Sequence, residues 1–124
     1  ARFLEFIGHP VMRKSVLCTT IETNTFYPDI VRNAPNTRKR AKAMQKLANL
    51  GMRTYVTCEP LIQFDLPEMV ELVRMCSPVQ VNIGRTSRQA ITLPDPTRKE
   101  EQAVITGLQR FTRVVVKSNA KCWI

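Results

Sequence analysis

The chain predicts an α/β fold: a parallel-stranded (β/α) half barrel, or partial TIM-like barrel, of about four strands. Three observations predict it. Short β-branched stretches recur at Ser15 to Ile21, Arg53 to Cys58, Val79 to Ile83 and Arg113 to Val116. Between them lie segments whose apolar residues return every three or four positions, the helical period. Each strand ends by delivering a polar or charged residue, namely Glu22, Glu59, Asn82 just before Gly84, and Lys117. Strands separated by helices are joined by right-handed crossovers into a parallel sheet. At roughly 30 residues per strand-helix unit, 124 residues hold half of an eight-unit barrel.

Taken in order, Ala1 to Ile7 reads as a short helix or the tail of one, stopped at Gly8 and kept from resuming by Pro10. Because the text opens inside that pattern, residues 1–124 are expected to form a single partial-barrel domain lacking an N-terminal half. Ser15 to Ile21 is the first strand, followed by a polar loop to about Asn36 that is broken by Pro28 and Pro35. Asn36 or Thr37 caps a helix to about Leu50, with Ala41, Met44, Leu47 and Ala48 on its apolar face and Gly51 closing it. After the second strand, Asp65 caps a helix with Pro67 in its first turn and Glu68 three residues after the cap. That helix continues to Met75, and Pro78 ends it. The third strand exits at Gly84 into a second polar loop. Asp95 with Pro96, or Thr97 with Glu100, then caps the last helix, whose Val104, Leu108 and Phe111 share a face. Arg113 to Val116 is the fourth strand. Beyond it, Trp123 is expected to pack against a neighbouring element.

A content of 44% hydrophobic and 23% charged residues suits one domain with a real core. No apolar run approaches the roughly 20 residues that cross a bilayer, and no leader pattern opens the chain. The expectation is a soluble, cytoplasmic protein without a membrane partner. Cys18, Cys58, Cys76 and Cys122 lie too far apart for a zinc knuckle or an iron-sulfur loop, so no metal site is read and they are taken as reduced core residues. His9, before Pro10, reads as a turn residue rather than a base. A formal charge of +9 favours polyanionic partners. Its one concentration, from Arg32 to Lys46, makes Arg38, Lys39, Arg40 and Lys42 the nucleic-acid candidates, although such a run is also what a solvated helix face looks like.

In parallel α/β folds the working groups gather at the carboxyl ends of the strands. Alternation puts Glu22 on the face of Thr20 and Cys18, and Glu59 on the face of Thr57 and Tyr55. Two carboxylates facing one another on neighbouring strands would raise one pKa and suit proton transfer or the hydroxyls of a ribose. Lys117 offers a counter-ion for a carboxylate or phosphate, and Asn82 completes the ring. Glu22, Glu59 and Lys117 are therefore the catalytic candidates. The plainer reading of the same residues is strand-end caps and salt bridges on a solvated rim.

The runs TTIETN (Thr19 to Asn24), TCEPLIQFDL (Thr57 to Leu66), VNIGRTS followed by LPDP, and FTRVVVKSN (Phe111 to Asn119) together resemble the C-terminal half of a radical-SAM-like family found in phages, bacteria and archaea. The resemblance covers nearly the whole chain and implies a partial (β/α) barrel. It implies that Glu22, Asn24, Glu59 and Asn82, with Thr57 beside them, wall a cavity for S-adenosylmethionine and substrate. Asn24, Asn82 and Thr57 are the cofactor-binding candidates. Members with radical chemistry carry a three-cysteine [4Fe-4S] motif near the N-terminus, which this sequence does not contain, so either an absent N-terminal segment or a separate chain supplies the cluster or the protein lacks the redox reaction. The expected function is the substrate and cofactor half of such a barrel, closed by a complementary half or by a second copy. The alternative is a non-catalytic, basic module that binds nucleic acid or protein.

Overall fold

The computed structural model describes residues 15–24, 36–84 and 96–117. Its elements are β1 (Val16–Thr20), α1 (Thr37–Asn49), β2 (Arg53–Cys58), α2 (Leu66–Met75), β3 (Gln80–Ile83), α3 (Arg98–Gln109) and β4 (Arg113–Val116). The helix expected over Ala1 to Ile7, His9, the loops around residues 25–35 and 85–95, Cys122 and Trp123 lie outside the described residues.

The four strands form one sheet in the order β1-β2-β3-β4, and every neighbouring pair is parallel. Each strand is laid down beside the one before it. That sequential order is the progression of a barrel wall, whereas a doubly wound sheet reverses direction at a switch point. The α/β parallel half-barrel expectation is met at this level.

Burial alternates along the strands and shows where the helices sit. Leu17 and Ile21, then Thr54, Val56 and Cys58, then Val81 and Ile83 are buried. All but Thr54 share a core with Ala41, Met44 and Leu47 of α1, Met69, Leu72 and Val73 of α2, and Val104 and Leu108 of α3. Residues between them, such as Cys18, Tyr55 and Asn82, are exposed or half-buried. The three helices therefore line one face of the sheet, and the other face carries the polar alternates. Each fully buried aliphatic side chain on the helical face contributes roughly 1.5–3 kcal/mol.

Local signals place the helices where the residues demand. Asn36, Asp65 and Thr97 are the N-caps, each accepting a hydrogen bond from a backbone N–H three residues on. Thr97 and Glu100 form a full capping box. Gly51, at a φ of 89°, follows α1 in the left-handed region that glycine enters without strain. Thr54 uses its buried hydroxyl to bond the Cys76 carbonyl at 2.8 Å, meeting an orphan acceptor at the end of α2. Helices α2 and α3 approach closely at Gly107, where a Cβ would lie 3.0 Å from a Val70 methyl.

Candidate functional site

The strand exits stay stitched together after the sheet ends. Ile21 N–H bonds the Thr57 carbonyl, Ile62 N–H bonds the Glu22 carbonyl, and Leu61 N–H bonds the Gly84 carbonyl, all within 2.9–3.0 Å. Lys117 N–H bonds the Ile83 carbonyl at 2.8 Å. Register sets the level of the rim. Thr20 is the partner of Thr57, so Glu22 and Glu59, each two residues farther along, leave adjacent strands at the same height. Thr57 is in turn the partner of Asn82, and Asn82 of Val115.

Each rim carboxylate has its own cation. Arg40 reaches from α1 to Glu22, with nitrogen–oxygen distances of 3.1 and 3.3 Å, and also donates to the Thr20 carbonyl. Lys117 contacts Glu59 Oε2 at 2.7 Å. The second oxygen of Glu59, Oε1, is buried and accepts no hydrogen bond from the described residues. Buried carboxylate oxygens are nearly always bonded, so this one marks an acceptor position for which the described chain supplies no donor. Because each glutamate engages its own base, the pair is arranged more for accepting hydrogen bonds than for passing a proton between themselves.

The remaining candidates divide by location. Thr57 Oγ1 lies 3.2 Å from the Cys18 sulfur on the open face. Asn82 accepts from the Gln80 side chain at 2.8 Å on that same face. Asn24 works elsewhere: its oxygen accepts from Asp65 N–H at 2.8 Å and its amide donates to Glu68 at 2.9 Å, so it organises the start of α2. Arg38, Lys39 and Lys42 are exposed on α1, while Arg40 turns inward with a side chain only 15% exposed. Periodicity alone could have separated it, since position 40 falls on the helical side of Met44 and Leu47.

No family model, curated protein or solved structure matches this chain.

The expectation of reduced core residues holds for Cys58 and Cys76 but not for Cys18, which is exposed. Cys18 lies on the open face and Cys58 on the helical one, and Cys76 follows the last turn of α2. Burial pushes the Cys58 thiol far up, with the nearby Cys76, Glu22 and Glu59 adding to it, and burial pushes Cys76 up to about 12. Among the described residues no group of three or more His, Cys, Asp or Glu could hold a metal ion. A [4Fe-4S] cluster thus finds no ligand set there. Nor is any described helix long and apolar enough to cross a membrane.

Proposed function

We propose that the chain is the substrate and cofactor half of a partial (β/α) barrel, with the helix-free sheet face as its binding wall and Glu59 as the principal acceptor. The observation that carries this reading is Glu59 Oε1, buried at the rim without a donor while Oε2 is held by Lys117. A ligand hydroxyl or ammonium group supplies the missing donor. Glu22, fixed by Arg40 at the same height, offers a second carboxylate, and Thr57 and Asn82 extend the polar wall down the sheet.

The resemblance to the radical-SAM-like family makes S-adenosylmethionine the ligand to test. Its ribose hydroxyls and α-ammonium group are donors of the kind Glu59 and Glu22 accept, and its sulfonium charge is compatible with an acidic rim. Lys117 suits an anionic group, such as the ligand's own carboxylate.

Isothermal titration of the chain with S-adenosylmethionine tests the proposal. The unmodified chain is expected to bind, and Glu59→Gln to bind about tenfold or more weakly, because a hydrogen bond to a charged group contributes about 1.5–3 kcal/mol. Glu71→Gln, on the exposed side of α2, serves as the control and leaves binding unchanged. Absence of binding by the unmodified chain, or equal binding by Glu59→Gln, overturns the assignment.

A further inference from the structure

We propose that the solvent face of α1 docks on the phosphate backbone of a nucleic acid through Arg38, Lys39, Lys42 and Lys46. This surface is separate from the rim and does not depend on the function proposed for it.

At 3.6 residues per turn these four side chains fall within an arc of about 100°. All four are exposed. The buried Thr37, Ala41, Met44 and Leu47, together with the inward Arg40, occupy the opposite arc. None of the four forms a salt bridge or side-chain hydrogen bond with another described residue. Helix α1 contains no acidic residue at all, so its outer face is a band of like charge that no described residue pairs with.

Local helix electrostatics work against such a band. Helices α2 and α3 carry acids in their first turns, Glu68 in one and Glu100 with Glu101 in the other, as the helix dipole favours. In α1 the first turn holds Arg38 and Lys39 instead, at the end where a cation is least welcome. Like charges four residues apart, Arg38 with Lys42 and Lys42 with Lys46, repel one another as well. A polyanion laid along the helix relieves both penalties.

Geometry favours a phosphate backbone over other anions. From Arg38 to Lys46 the helix rises about 12 Å, a length over which a duplex carries three to four phosphates of one strand at an axial rise of about 3.4 Å each. An anionic membrane is the weaker candidate, because a helix that lies in a membrane surface inserts its apolar face, and that of α1 is already committed to the core. The face carries no aromatic side chain on which a base could stack, so recognition is of backbone and independent of sequence.

The test is fluorescence anisotropy with a labelled single-stranded oligonucleotide and with a labelled duplex, each titrated from 50 to 200 mM salt. The variant R38Q/K39Q/K42Q/K46Q is compared with R53Q/K99Q/R110Q/R113Q, which removes the same charge from exposed positions elsewhere, and circular dichroism verifies folding of both. Four phosphate contacts account for a salt-dependent loss of about 50-fold on a single strand and about 150-fold on a duplex. That dependence is expected to disappear in the α1 variant and to persist in the control. Should the fourfold variant fail to fold, K42Q/K46Q is expected to reduce the salt slope by half as much. The proposal is overturned if the two fourfold variants lose affinity equally. It is also overturned if the unmodified chain binds phosphatidylserine vesicles or oligoglutamate while ignoring both oligonucleotides.

Discussion

Arg40 donates to both oxygens of Glu22 and to the Thr20 carbonyl from a side chain that is 15% exposed, against 20% for its partner. A pair so far removed from water is costly to break on one side, since the remaining charge is left without its partner. Arg40→Met and Glu22→Gln are each expected to lower unfolding free energy by about 1–3 kcal/mol. The double variant R40M/E22Q should lose less than the sum of the two, because the second change removes a charge already stranded by the first. Urea unfolding of the three variants measures this coupling, and strict additivity would show that the ion pair contributes nothing to the fold. The pairing also explains why the basic run from Arg32 to Lys46 could not be read uniformly from composition. One of its members belongs to the rim, and only its angular position on α1 distinguishes it from its neighbours.

At the level of elements, the helix starts were legible because caps are local: Asn36, Asp65 and Thr97 each bond within three residues of themselves. What anchors those caps was not legible, since Asn24 reaches Asp65 across 41 positions of sequence and Gln63 bonds Glu100 across 37. Such partners depend on how the loops after the strands converge, which no periodicity encodes. The capping box of α3 gives a pH-dependent prediction. Backbone and side-chain hydrogen bonds from Thr97 hold the Glu100 carboxyl below its ordinary range. Its folded pKa is thus lower than its unfolded one, so its contribution is complete above the usual carboxylate range and disappears as pH falls through the lowered value. Glu100→Gln is therefore expected to melt below the unmodified chain at pH 7 and level with it at about pH 2. A gap of equal size at both values would show that the carboxylate's charge plays no part in the cap.

For the molecule as a whole, the parallel sheet was accessible from the alternation of strands and helices, whereas the sequential strand order and the contrast between the two faces are set by the packing. Three helices cover one side of the sheet, and polar alternates occupy the other. The cysteines report on that division because they lie on both sides of it. Cys18 is exposed beside Thr57, while Cys58 is fully buried and Cys76 buried behind α2. Burial raises the thiols of the latter two far enough that the reactive thiolate is scarce as well as shielded. An alkylating reagent at pH 8, followed by peptide mapping, is expected to modify Cys18 within the native state. Cys58 and Cys76 should react only at the rate at which the core opens, rising together with urea because they share one core and one cooperative unit. If Cys58 were modified as fast as Cys18 without denaturant, the helical layer would not seal its side of the sheet.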